Sequence, residues 1–131
     1  MLSVYKQAIQ ELRDRLVKEL GDKINSLILY GSAARGEAGE ESDIDILVIT
    51  RDDDRRVYDQ ISGIRTDVDL KNGTLTSLVA FSRAEVEKYL KLGSPFIEDV
   101  IEEGVILYDD GTFRGLRGSL TAESGESSKG S

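Results

Sequence analysis

Apolar residues in this chain fall into two rhythms. Over residues 2–20, Tyr5, Ile9, Leu12, Leu16 and Leu20 recur at steps of four, three, four and four, the spacing that lays side chains along one stripe of a helix. Lys6, Glu11, Arg13, Asp14, Arg15 and Lys18 cover its other faces, and Gly21 is a natural stop. From Ile24 to Tyr30 the pattern changes to a nearly continuous apolar run, and a second such run extends from Asp43 to Thr50. Both read as buried strands bounded by Gly, Ser and Asp. The helical rhythm returns with Val57, Ile61, Ile64 and Val68, predicting a helix over Arg55–Lys71 that Asn72-Gly73 ends. Gly63 inside it costs about 1 kcal/mol relative to alanine. Leu75–Phe81 is rich in Thr, Val, Leu and Phe and reads as a third strand. Ser82-Arg83-Ala84-Glu85 is a capping-box pattern opening a helix to Leu92. Ser94 with Pro95 opens another, its stripe formed by Phe96, Ile97, Val100 and Ile101. Gly104 closes it before a short last strand, Val105–Tyr108. The fold class predicted is α/β, a small mixed β-sheet with helices packed on it, in one domain over residues 1–112. From Arg114 on, Gly and Ser dominate, so 113–131 is expected to be a disordered tail.

The stretch that offers chemistry is 27–49, LILYGSAARGEAGEESDIDILVI. Strand side chains alternate faces, so Asp43 and Asp45 point the same way. Two carboxylates on one face make a hard oxygen site suited to magnesium or manganese. If the second strand runs back antiparallel beside the first, these carboxylates lie next to Gly31-Ser32, whose backbone N–H groups and hydroxyl can hold phosphate oxygens. A metal facing a phosphate cradle is the equipment of phosphoryl or nucleotidyl transfer. Ser32–Gly36 reads as a turn of helix, and Arg35 within it either reaches a phosphate or is simply solvated. Glu37, Glu40 and Glu41 read as solvated. The Gly31 to Gly36 spacing lacks the Lys-Ser/Thr of a P-loop, because Glu37-Ala38 stands there.

Gly31-Ser32, then ten residues, then Asp43-x-Asp45 resembles the signature of the polymerase-β-like nucleotidyltransferase superfamily. The string GSAARGEAGEESDIDILV is similar to its minimal nucleotidyltransferase (MNT-type) branch, and SPFIEDVIEEGVILY to the closing segment of a subset of those domains. The resemblance implies transfer of a nucleoside monophosphate from a nucleoside triphosphate, ATP foremost, to a hydroxyl. Asp43 and Asp45 would hold the metal and act in catalysis, and Gly31, Ser32 and Arg35 would bind the nucleotide. It also implies a helical HEPN-type protein as partner, in the manner of a toxin–antitoxin pair.

The same resemblance exposes a gap. Catalytic members usually carry a third carboxylate on a neighbouring strand. Asp67 and Asp69 alternate as a strand would, but the stripe Val57-Ile61-Ile64-Val68 runs through them as a helix. The strand Leu75–Phe81 has no acid, and Ser77, or Thr76 if the register slips by one, stands where the carboxylate is expected. A nucleotide-binding or protein-interaction module that transfers nothing is therefore the alternative.

Composition narrows the rest. Lys and Arg total 17 against 25 Asp and Glu, a formal charge of −8, which argues against direct nucleic-acid binding through phosphates. The absence of cysteine and histidine removes thiolate chemistry, Ser-His-Asp and Cys-His catalysis and the usual zinc sites. Without a signal-peptide pattern or an apolar run near about 18 residues, a cytoplasmic protein with no membrane contact is predicted. So small a domain has little surface for a polymeric acceptor, which predicts a homo-oligomer or a complex with the helical partner.

Overall fold

The computed structural model describes residues 2–35 and 44–120. The elements are α1 (Leu2–Leu20), a 3-10 turn (Gly21–Lys23), β1 (Ile24–Tyr30), α2 (Gly31–Ala34), β2 (Ile44–Thr50), α3 (Arg55–Asn72), β3 (Thr76–Ser82), α4 (Arg83–Lys91), α5 (Pro95–Glu103) and β4 (Val105–Asp109). A last helix, α6, spans 112–120.

The four strands form one mixed sheet in the order β3-β2-β1-β4. β1 is antiparallel to both β2 and β4, while β3 runs parallel to β2. The parallel pair needs a crossover, and α3 supplies it. Alternation along the strands divides the apolar residues between two faces. Leu27, Leu29, Ile44, Ile46 and Val48 meet Leu12 and Leu16 of α1 and the stripe Val57, Ile61, Ile64 and Val68 of α3. Ile28, Leu47 and Ile49 meet Val86 of α4, Ile97, Val100 and Ile101 of α5, and Phe113 and Leu120 of α6. The central strands β1 and β2 are thus covered on both sides, which is why they read as runs rather than alternations.

Local signals explain the element ends. Ser82 accepts from the Glu85 N–H while Glu85 accepts from that of Ser82, the reciprocal capping box at the start of α4. Ser94 accepts from Ile97 N at the start of α5, with Pro95 in the first turn. Asp54 caps α3 through Arg56 N, and Gly73, at φ +67°, ends it.

One expectation changes. The chain does not lose its order at 113, because α6 packs into the second core and Phe113 is fully buried there. Phe113, Leu116 and Leu120 make a short stripe at helical spacing, easily overlooked among the glycines and serines. Two aspartates start this helix. Phe113 N and Arg114 N donate to Asp109 (2.9 and 3.1 Å), and Thr112 N donates to Asp110 (3.0 Å). Arg117 lies over the Phe113 ring and donates to the carbonyls of Ile101 (2.7 Å) and Gly104 (2.8 Å). Those bonds satisfy carbonyls at the end of α5 that helix geometry leaves open. The rest of the expected tail, 121–131, lies outside the described residues.

Candidate functional site

β1 ends at Tyr30, and the chain turns at once into α2. Gly31 makes that turn at φ +73°, a left-handed conformation that residues with a Cβ resist. A second constraint acts at the same atom. A Cβ on Gly31 would land on the carboxylate of Asp45, whose Cγ would be 3.2 Å away. Glycine therefore lets the backbone at the start of α2 press against Asp45.

The antiparallel pairing of β1 with β2 sets this contact, because Tyr30 stands opposite Asp45. On its other side Asp45 is in register with Ser77 of β3. Tyr30, Asp45 and Ser77 thus form one row across three strands, on the face that further along carries Leu47 and Ile49. The N-cap residue Tyr30 makes no side-chain cap bond at the start of α2, and the first N–H groups of a helix have no partner within the helix itself. Ser32 is half-buried and does not belong to either core. Arg35 is exposed at the end of α2, with Nη1 3.7 Å from Glu103. Asp43, Gly36, Glu37, Glu40 and Glu41 lie outside the described residues. Among the described residues no group of three acidic side chains converges as a metal cage.

The two candidates for a third carboxylate, Asp67 and Asp69, are both held elsewhere in the fold. Asp67 and Asp69 are on α3, as its apolar stripe requires. Asp67 pairs with Arg15 of α1 at 3.2 Å. Asp69 accepts from Thr74 Oγ1 (2.8 Å), Thr76 N (2.9 Å) and Thr76 Oγ1 (2.8 Å), so it is committed to holding the start of β3. Thr76 itself is buried on the opposite face from Asp45. Ser77 is the β3 residue in the Asp45 row.

Two neighbours carried no chemical signal in the sequence. Tyr30 reads there only as the last apolar residue of a strand. Burial first, and then the Asp45 charge, hold its hydroxyl above the ordinary tyrosine value. Phe96, in the first turn of α5, meets the Tyr30 ring edge-on at 5.4 Å and 81° and remains 39% exposed, giving the row an apolar wall. A strand register would have revealed Tyr30, but the sequence does not state one.

A turn of helix beginning on a left-handed glycine is thus pressed to a carboxylate at the start of the adjacent strand. Residues 9–108 match the nucleotidyltransferase domain family, and the chain belongs to it. Among its relatives are two proteins of Methanocaldococcus jannaschii named "Putative protein adenylyltransferase". The first is 35% identical over 103 residues, 79% of this chain and 97% of the relative. The second is 29% identical over 100 residues, 76% of this chain and 94% of the relative. A toxin–antitoxin crystal structure with AMP-PNP contains a similar fold, at a TM-score of 0.58 and 16% identity over 89% of this chain and 87% of that one. A mutant of the toxin–antitoxin pair MntA–HpeT gives a TM-score of 0.52 at 16% identity, with 87% of both chains covered. No helix among the described residues is long and apolar enough to cross a membrane.

Proposed function

We propose that this nucleotidyltransferase is a metal-dependent adenylyltransferase that moves AMP from ATP to a hydroxyl of a partner protein. The observation that carries this reading is the contact of Gly31 with Asp45, which sets the uncapped start of α2 beside a carboxylate. The N–H groups of that turn and the Ser32 hydroxyl would accept the terminal phosphates of the triphosphate. Arg35, one turn on, would add positive charge to the same phosphates. Asp45, with Asp43, would hold magnesium or manganese, a hard-oxygen donor set that fits either ion. Such an ion neutralises the charge that develops between the phosphates. In the transfer the acceptor oxygen bonds to the α-phosphorus, the bond from that phosphorus to the α–β bridging oxygen breaks, and pyrophosphate leaves with those electrons. The acceptor's proton goes to a base or to water. The names of the curated relatives support AMP and a protein acceptor. The resemblance to MNT-type domains supports a helical HEPN-type protein as that acceptor.

A second reading is favoured by one observation. The β3 residue in register with Asp45 is Ser77, a neutral hydroxyl that cannot take the proton of an attacking group. In that reading the domain binds nucleotide and protein and transfers nothing. One experiment separates the two. ATP labelled at the α-phosphate is incubated with the protein, its co-purified partner and magnesium. Transfer predicts label on the partner, loss of that label in Asp45→Asn, and faster labelling in Ser77→Asp. General-base catalysis is worth roughly 100- to 10,000-fold, so the Ser77→Asp gain is read against that range. Nucleotide binding with no label in any protein, Ser77→Asp included, would leave the binding module as the correct reading.

A further inference from the structure

β3 is an edge strand of the sheet, and its outer side differs from edges that proteins protect. Natural sheets blunt such edges with charge, proline, a bulge or a very short strand. The seven residues Thr76–Ser82, TSLVAFS, contain no charge and no proline. Their pairing with β2 runs without a register shift from Ile44↔Thr76 to Thr50↔Ser82. The opposite edge, β4, is only five residues long, ends in Asp109 and has an irregular register with β1.

The backbone groups on the outer side can be assigned. Ile44 N donates to Leu75 O, so the odd positions of β3 turn toward β2 and the even positions turn outward. Side chains already occupy the two ends. Thr76 N donates to Asp69 and Thr76 O accepts from Arg65 (2.9 and 3.4 Å). Ser82 N donates to Glu85 at 2.9 Å. That leaves the N–H and C=O of Leu78 and of Ala80 without a partner among the described residues.

This remainder is self-complementary. We propose that β3 pairs with β3 of a second copy of this chain, antiparallel about a two-fold axis at Val79, joining the two sheets into one of eight strands. Leu78 of each copy then stands opposite Ala80 of the other. Directly opposed residues in an antiparallel pair exchange both hydrogen bonds, so all four open groups of each copy are satisfied and none is left over. The faces agree as well, since Leu78 and Ala80 lie on the α3 side while Ser77, Val79 and Phe81 lie on the other. Charge follows the same symmetry. A cavity of about 370 Å³ along this edge is lined by Tyr58, Ser62 and Arg65 of α3 with Ser77, Leu78 and Ala80 of β3. α3 runs opposite to β3, so the axis lies near Ser62 and sets the N-terminal half of α3 against the C-terminal half of its copy. Asp59 then comes opposite Arg65 of the second copy. Phe81 of the second copy would stand beside Ser77, at the border of the site. The interface does not depend on the proposed chemistry.

The chain has no cysteine, which makes a direct test available. Val79 would face itself across a non-hydrogen-bonded pair, with Cα atoms about 4.5 Å apart, inside the disulfide range of about 4.4–6.8 Å. The full chain carrying Val79→Cys should therefore form a covalent dimer on mild oxidation. Leu92→Cys, 72% exposed at the far end of α4, should give no covalent dimer under the same oxidation. Sedimentation of the wild type at micromolar concentration should give a dimer. Ala80→Pro, which removes one outward N–H, and Ser62→Lys, which opposes two charges on the axis, should each give a folded monomer by circular dichroism. If Ala80→Pro does not fold, Ser62→Lys decides. A wild-type monomer throughout the micromolar range would overturn the proposal. So would a dimer that survives Ser62→Lys and fails to crosslink through Cys at position 79.

Discussion

Gly31 is the residue on which the site turns, and two independent costs attach to replacing it. Its φ of +73° strains any L side chain, and the space a Cβ needs holds the Asp45 carboxylate. Backbone strain of this kind costs about 1–3 kcal/mol. Gly31→Ala is therefore expected to lower stability by that order and to weaken triphosphate binding further by displacing Asp45. Denaturant unfolding and calorimetric titration with ATP and magnesium measure the two effects. A variant with wild-type stability and wild-type affinity would show that the contact does not organise the site. At this scale the sequence was a partial guide. Gly31 and Asp45 stood out because glycine and aspartate are unusual between apolar runs. Tyr30 did not, because its role depends on standing opposite Asp45, a relation that only strand pairing creates.

The elements were legible where the apolar rhythm was long or a cap marked the boundary. β1 spans the residues predicted, Ile24–Tyr30, and α3 extends to Asn72, one residue beyond its prediction. The stripe of α3 also resolved Asp67 and Asp69 correctly as helical, since Val57, Ile61, Ile64 and Val68 all reach the core. α6 was missed, because three apolar positions interrupted by Gly115, Gly118 and Ser119 give too little periodicity to stand out. Its stability comes instead from tertiary contacts, above all those of Asp109. Burial alone would raise the Asp109 carboxyl, but bonds from Ser26 Oγ (2.7 Å) and the Phe113 and Arg114 N–H groups outweigh it and hold the carboxyl below the ordinary value. A depressed folded-state value contributes stability above the ordinary carboxylate range of about 4, and that contribution is lost as pH falls through the folded value. Asp109→Asn should thus be less stable than wild type at neutral pH, with the gap closing in acid. Melting curves from pH 7 downward follow it, and a gap that stays constant or widens in acid would contradict the assignment.

At the scale of the whole molecule, the sheet gathers the parts that the sequence scatters. β1 delivers Gly31 and Ser32, β2 delivers Asp45, and β3 sets Ser77 in the same row, while α1 and α3 cover one face and α4, α5 and α6 the other. The free edge of β3 borders that row, so self-association and the site are neighbours. The acidic balance, −8 over the chain, makes a metal-bridged nucleotide a better ligand for this surface than a bare polyphosphate backbone. On the function proposed above, metal and triphosphate meet where α2 presses on Asp45. Manganese titrated into the protein with a non-hydrolysable ATP analogue tests it directly, because the ion broadens the amide signals nearest to it. Gly31, Ser32, Asp45 and Ser77 should broaden first, only when the analogue is present, and Asp45→Asn should abolish the effect. Broadening that begins instead at Asp52–Asp54 or at Asp109–Asp110, unchanged by Asp45→Asn, would contradict it.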